Sequence, residues 1–136
     1  MTPKRIKQRY DDFEKALKRL TEAINEDPKK SDTVIDGTIQ RFEFTFELAW
    51  KLTKAILEHN GVEANSPRAV IKESFSQGFI KDGVAWIQML DDRNKTSHIY
   101  DEAQARQIYE KIKSQYHPLF VVLNEKLLSA VFKVNE

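Results

Sequence analysis

The sequence contains no cysteine, which excludes disulfide frameworks, cysteine-ligated metal sites and thiol catalysis. It also lacks any apolar run near the ~18 residues that a membrane span needs. No apolar stretch follows the basic N-terminal residues as it would in a secretory signal. Neither sign of charge dominates, since 22 Lys and Arg stand against 21 Asp and Glu. We therefore expect a cytoplasmic protein that has no membrane segment and no strongly cationic surface for wrapping nucleic acid.

Glycine and proline are scarce, with four of each, and they separate long stretches in which apolar residues recur every three or four positions. This is the period of an amphipathic helix. Five such stretches are present, covering residues 6–24, 35–56, 70–75, 85–90 and 105–127. We predict an all-α, up-and-down four-helix-type bundle of about five helices, formed by residues 1–136 as a single domain.

Two details of the later helices are predicted from their sequences. The third helix is expected to start at Ser66-Pro67, a cap residue followed by proline in the first turn, and to bury Phe75. The long C-terminal helix contains Pro118, which is expected to kink it rather than end it, because the apolar stripe resumes beyond the proline. That stripe is predicted to include Leu119.

The second helix carries an unusual amount of apolar surface. Residues 42–50 alternate apolar and polar side chains, as a half-buried strand would. We predict a helix because no turn residue interrupts residues 33–60 and the helical stripe continues on both sides. On that helix, Phe44 and Leu48 form a second apolar strip beside the first. A second copy of the chain is the simplest cover for this strip, so we predict a homodimer.

The segment of residues 91–101 is almost entirely polar and joins two amphipathic stretches. Arg93 offers a permanent cation with planar donors that suit a phosphate, and His98 can give or take a proton near neutral pH. Asn94, Ser97 and Tyr100 add further polar groups. Such residues suit RNA cleavage without a metal, in which a base deprotonates the 2′-hydroxyl and a cation stabilises the charge at phosphorus. A solvated junction between helices has the same composition, so the residues alone leave both interpretations open.

The spacing Arg93-x4-His98-x-Tyr100 resembles the Arg-x4-His-x-Tyr signature of HEPN-type (HepT-like) ribonuclease toxins, which are paired with a minimal nucleotidyltransferase antitoxin. Asn94 matches the polar residue that this family places directly after the arginine. The wider chain, roughly residues 5–130, is similar to the group known as nucleotidyltransferase substrate-binding proteins. The blocks that carry this likeness are residues 41–51, 71–75, 78–80 and 86–100.

The resemblance implies that residues 1–136 form one HEPN-like helical bundle domain that dimerises, with the signature residues of both protomers facing one cleft. Arg93 would bind the scissile phosphate and His98 would transfer protons. Tyr100 would be the hydroxyl that the partner nucleotidyltransferase modifies with AMP, blocking the cleft with bulk and negative charge. The chain would then be the toxin of a two-gene toxin–antitoxin module and a metal-independent endoribonuclease of RNA, with tRNA as a candidate substrate.

Three further residues are assigned to binding or orienting the substrate, namely Asn94, Lys95 and Ser97. Lys95 is expected to add electrostatic attraction to RNA rather than chemistry. No metal and no cofactor is predicted. The older description of the family gives a second hypothesis, in which the chain cleaves nothing. It would then be a substrate-binding or regulatory subunit of a minimal nucleotidyltransferase that is too small to hold its substrate alone.

Overall fold

The computed structural model describes residues 2–134, and this part of the chain contains helices and connecting turns without a strand. The α-helices are α1 (Pro3–Ile24), α2 (Asp32–His59), α3 (Pro67–Ser76), α4 (Gly83–Lys95), α5 (Glu102–Lys111) and α6 (His117–Val134). A 3₁₀ turn, Thr96–His98, ends α4, and a π-helical turn, Ile112–Tyr116, joins α5 to α6 without a break. The predicted all-α bundle with a long C-terminal helix is confirmed. Within residues 2–134, no helix is both long and apolar enough to cross a bilayer.

Side-chain caps fix where the helices begin. Ser31, Ser66, Asp82 and Asp101 each accept a hydrogen bond from a backbone N–H in the first turn of the helix that follows. These bonds satisfy donors that have no partner within the helix. Gly61 follows α2 with φ of 83°, a left-handed conformation that costs glycine little. These four helix starts and the end of α2 are therefore set by local chemistry.

Helices α1 and α2 pack antiparallel along most of their length. The Thr45 hydroxyl of α2 reaches the Ala16 carbonyl of α1 at 3.3 Å, and the Arg41 guanidinium donates to the Arg19 carbonyl at 2.7 Å. Residues later in α2 therefore contact residues earlier in α1, as antiparallel packing requires. The predicted stripes are buried, on α1 as Ile6, Tyr10, Phe13, Leu17, Leu20 and Ile24, and on α2 as Ile35, Ile39, Phe42, Phe46, Ala49, Thr53 and Ile56.

An aromatic cluster joins α2, α4 and the C-terminal helical run. The Phe120 ring of α6 packs against Phe42 of α2 at 6.1 Å between centroids and against Trp86 of α4 at 5.7 Å. Phe42 also stacks on Tyr116 at 5.7 Å. Such ring pairs add specific geometry to the burial of large apolar surfaces. The cluster fixes α4 relative to α2, and α4 carries the start of the polar segment.

Two predicted burial patterns are wrong in detail. Phe75 is 55% exposed, and α3 buries Ser74 instead, whose hydroxyl donates to the Val70 carbonyl and is thereby satisfied inside the protein. Leu119 is only half-buried, whereas Phe120 is buried. Leu123 and Leu127 are buried as predicted, so the error is confined to one position just after the π-helical turn.

Candidate functional site

The polar segment of residues 91–101 lies where α4 ends and α5 begins. Arg93 occupies the last turn of α4, and His98 closes the 3₁₀ turn. Tyr100 directly precedes Asp101, which caps α5 by accepting from the Gln104 N–H at 2.8 Å. The Gln104 side chain in turn accepts from the Tyr100 N–H at 2.9 Å. These local bonds hold the segment in a defined turn.

Arg93 is held against α2 by two carboxylates. Its Nη1 lies 3.4 Å from Glu43 Oε2, and its Nη2 lies 3.8 Å from Glu47 Oε1. The Thr96 hydroxyl lies 2.9 Å from Glu43 Oε2 and 3.5 Å from Arg93 Nη1. The Arg93 side chain is 23% exposed, so part of the guanidinium still faces solvent. Its Nε is buried and has no hydrogen-bond partner among the described residues.

His98 and Tyr100 contact each other on the outside of the junction. His98 Nδ1 lies 3.3 Å from Tyr100 Oη, and both side chains are exposed. Tyr100 is 80% exposed, the highest fraction among the exposed large apolar and aromatic side chains of the described part of the chain. The hydroxyl of Tyr100 is therefore accessible to another macromolecule, and any group attached to it would lie beside the imidazole.

A groove of about 320 Å³ runs between the end of α4 and α5, with His98 on its wall. We call it the α4–α5 groove, and its other lining residues are Asp92, Lys95, Thr96, Ile99, Gln104, Gln107, Ile108 and Lys111. Two isoleucines give it an apolar part, and its charged residues are two lysines and one aspartate. The groove is thus a mildly cationic cleft with the His98 imidazole on its wall.

Asp92 anchors the inner edge of this groove. The Asp92 side chain is 12% exposed, and its Oδ2 accepts hydrogen bonds from Tyr116 Oη and, at 3.2 Å, from Lys111 Nζ. Burial first, and then the Asp92 carboxylate, raises the pKa of the Tyr116 phenol. Tyr116 therefore stays protonated and donates to Asp92 across the neutral pH range. Lys111 is in this way oriented by a buried partner.

The segment brings its predicted residues to two faces. Lys95 and His98 share the α4–α5 groove, whereas the Arg93 side chain lies toward α2. Thr96 touches both, because it contacts Arg93 and lines the groove. Asn94 and Ser97 are exposed, and the Ser97 hydroxyl reaches the Asn94 carbonyl at 3.5 Å.

Several residues of the site were not predicted from the sequence. Glu43, Glu47, Thr96, Asp92 and Lys111 were all outside the predicted set. One signal was available, because Glu43 and Glu47 are four residues apart and so lie on one helix face. That spacing indicates a pair of carboxylates on one side of α2, although it gives no partner for them.

Comparison with known proteins identifies the family. Residues 8–129 match the family described as nucleotidyltransferase substrate binding protein like. The match includes the polar segment and, of the helices, leaves out only the first residues of α1 and the last residues of α6. The chain belongs to this family. The predicted likeness to HepT-like proteins is confirmed by a Haemophilus influenzae (strain Rd) protein named "Probable ribonuclease HepT", which is 36% identical over 86 residues. That match covers 60% of the chain and 59% of the relative, so it spans about three fifths of the relative's length.

Solved structures share the fold. A protein from Thermus thermophilus superposes with a TM-score of 0.72 at 37% identity, covering 88% of this chain and 98% of that one. A Haemophilus influenzae protein, described as having the fold of a substrate binding domain of a nucleotidyltransferase, superposes with a TM-score of 0.64. It is 24% identical and covers 93% of this chain and 99% of its own. At that identity the likeness concerns the fold alone.

Proposed function

We propose that this protein is a metal-independent endoribonuclease, the toxin of a two-gene module whose second member is a minimal nucleotidyltransferase. The observation that carries the proposal is the contact between His98 and Tyr100 at an exposed junction, 3.3 Å apart. It puts a proton-transfer group next to a hydroxyl that another enzyme can reach. The relative named as a probable ribonuclease supports the same activity, and the family description supports a nucleotidyltransferase as the partner.

The cleavage step assigns one role to each of two residues. His98 accepts the proton of a ribose 2′-hydroxyl, whose oxygen then attacks the adjacent phosphorus. The new bond joins phosphorus to the 2′-oxygen, and the bond to the 5′-oxygen breaks. The leaving 5′-oxygen takes up a proton from water, and the His98 imidazolium returns its proton to the solvent. Arg93 stabilises the negative charge that develops on the phosphoryl oxygens. The products are a 2′,3′-cyclic phosphate and a 5′-hydroxyl.

Three neighbours assist by binding or orienting the RNA. Lys95 lines the α4–α5 groove with His98 and adds a positive charge there. Asn94 and Ser97 are exposed beside it and offer neutral hydrogen-bond donors. Because phosphate attraction is electrostatic, the Lys95 contribution falls as salt concentration rises.

Tyr100 is the site at which the partner enzyme switches the activity off. The Tyr100 oxygen attacks the α-phosphorus of ATP, pyrophosphate leaves, and the phenolic proton passes to a base on the partner. The attached AMP carries a phosphodiester charge and a bulky nucleoside. Its position next to His98 covers the imidazole and repels a substrate phosphate. The 80% exposure of Tyr100 supports this role.

A homodimer completes the proposed site. Phe44 is 57% exposed and lines, with Leu48 and Arg41, a groove of about 300 Å³ between α1 and α2. Its neighbour Glu43 contacts Arg93. A second copy seated over Phe44 would lie next to the face of α2 that carries Glu43, about 100° round the helix. If its contact extends to that face, the cleft receives residues from both protomers.

Co-expression with a minimal nucleotidyltransferase tests the module. Intact-mass spectrometry is expected to find one or more AMP units on Tyr100, and the modified protein is expected to leave RNA intact. The Tyr100→Phe variant should cleave RNA and escape inactivation. Tyr10→Phe is the control, because Tyr10 is buried in α1. AMP on another residue, with Tyr100 unmodified, would overturn the proposed switch.

One observation favours the second candidate function, a non-catalytic substrate-binding or regulatory subunit. Glu43 and Glu47 already neutralise Arg93, which weakens the attraction of its guanidinium for a phosphate. In that case the unmodified protein binds nucleotides or its partner, and RNA remains uncut. Incubation of the unmodified protein with RNA in EDTA separates the two functions.

A further inference from the structure

The α4–α5 groove has the features of a nucleotide subsite. Its volume of about 320 Å³ falls at the lower end of the range of roughly 300–1,000 Å³ found for small-molecule sites. The half-buried Ile99 and Ile108 form its apolar part, a surface on which a planar base can pack. Gln104 and Gln107 supply amides at its edge.

The two amides differ in availability. Gln104 uses its side-chain oxygen to accept from the Tyr100 N–H at 2.9 Å, so its amide is committed to the turn. Gln107 is exposed on α5 one helical turn before Lys111. An amide offers both a donor and an acceptor, which is the combination that reads a base edge. Gln107 is therefore the residue placed to discriminate between bases.

Lys111 is the oriented cation of the groove. The buried Asp92 carboxylate holds its ammonium at 3.2 Å, and an ammonium has three donors, so others remain for a ligand. Tyr116 donates to the same carboxylate oxygen, so Asp92 is stabilised by two donors and does not depend on Lys111 alone. Lys95 also lines the groove, so its lining keeps one more positive than negative side chain.

We propose that the α4–α5 groove binds one ribonucleotide of the RNA, the one next to the phosphate at His98. Its base packs on Ile99 and Ile108, Gln107 reads the base edge, and Lys111 holds the nucleotide's outer phosphate. This proposal rests on the proposed ribonuclease function for the identity of the ligand. It makes Gln107 a specificity-determining residue, and it gives Lys111 a role in binding rather than in the chemical step.

Nucleotide titration tests the subsite without requiring cleavage. The four nucleoside 3′-monophosphates are titrated into isotope-labelled protein and followed by NMR. The expected result is a shift of the Gln107 side-chain amide and of the α5 backbone amides, with a preference among the four bases. Gln107→Ala should lower the affinity for the preferred nucleotide by about three- to tenfold, the loss expected for one hydrogen bond. Gln88→Ala, an exposed glutamine of α4, is the matched control.

A second variant tests the phosphate contact. Lys111→Gln should lower the affinity for all four nucleotides by a similar factor. It should also reduce the number of counterions released on RNA binding by about one, measured as the slope of affinity against salt concentration. Unchanged binding in both Gln107→Ala and Lys111→Gln, with RNA still cleaved, would overturn the subsite and leave the ribonuclease function standing. Nucleotide binding as expected in a protein that cuts no RNA would instead overturn the ribonuclease function.

Discussion

Glu43 and Arg93 lie fifty residues apart in the chain, yet Glu43 Oε2 is 3.4 Å from Arg93 Nη1. Both side chains are less than one third exposed, so solvent screens the pair only in part. The contact fixes the direction of the guanidinium and also offsets its charge. The Arg93 guanidinium therefore has a fixed orientation, but its attraction for a phosphate is reduced.

This relationship predicts opposite effects on binding and turnover. Glu43→Gln removes the negative charge, so RNA binding should tighten and KM should fall. The guanidinium loses a charged partner that orients it, so kcat should fall by about three- to tenfold. Steady-state cleavage of a short RNA measures both constants, and Glu22→Gln, an exposed position on α1, is the control. A higher KM with unchanged kcat would show that Glu43 contacts the RNA favourably instead.

Two buried tyrosines predict a contrast in stability. Tyr116 donates to the Asp92 carboxylate, whereas Tyr109 Oη is buried without a hydrogen-bond partner among the described residues. Tyr116→Phe should lower the free energy of unfolding by about 1.5–3 kcal/mol, the range for hydrogen bonds to charged groups. Tyr109→Phe should be neutral or slightly stabilising. Urea unfolding of both variants checks this, and equal losses would contradict the assignment of partners.

His117 predicts a pH dependence of stability. Burial lowers the pKa of His117 below its usual 6.5, and its Nε2 lies 2.8 Å from the Thr21 hydroxyl. As pH falls below about 6.5, the unfolded chain takes up a proton that the folded protein resists, so the free energy of unfolding decreases. The stability contributed by the neutral His117 is thus fully present above that pH and is lost as the pH approaches the lower pKa of the folded state.

Urea unfolding between pH 8 and pH 5 measures this effect. His117→Gln should flatten the profile, and His59→Gln, an exposed position at the end of α2, should leave it as it is. If the His117→Gln variant loses as much stability on acidification as the wild type, another group is responsible.

The exposed Phe44 predicts the oligomeric state. A homodimer that buries at least ~1,200 Å² in total should sediment at twice the chain mass of 15.9 kDa at micromolar concentration. Phe44→Glu should shift the protein toward the monomer without loss of helicity, because the side chain is outside the core. Phe75→Glu is the control, since Phe75 is similarly exposed on another helix. A wild-type monomer at this concentration would remove the support for a composite cleft.

The sequence predicted most of the fold because the fold depends on local patterns. The stripes of α1 and α2 follow one helical period from end to end, and the caps at Ser66, Asp82 and Asp101 are single-residue signals. The stripe beyond Pro118 was predicted correctly at Leu123 and Leu127 and wrongly at Leu119, where Phe120 is the buried residue. The π-helical turn that precedes this position changes the helical period only once, so it leaves no repeating mark in the apolar spacing.

The candidate site was predictable only in its local part. The order of Arg93, His98 and Tyr100 along the chain brought the latter two into contact, because they are two residues apart on a turn. The pairing of Arg93 with Glu43 and of Asp92 with Lys111 joins helices that are distant in sequence. Such contacts depend on how helices pack, which a single sequence does not encode in any short pattern.

Incubation of RNA with the purified protein in EDTA decides whether this chain is itself a nuclease. We expect wild-type protein to produce 2′,3′-cyclic phosphate and 5′-hydroxyl ends, and His98→Ala and Arg93→Ala to produce none while keeping their helicity by circular dichroism. His59→Ala, an exposed histidine away from the site, should cut like the wild type. Intact RNA after incubation with wild-type protein, or equal cleavage by His98→Ala, would contradict the proposed mechanism.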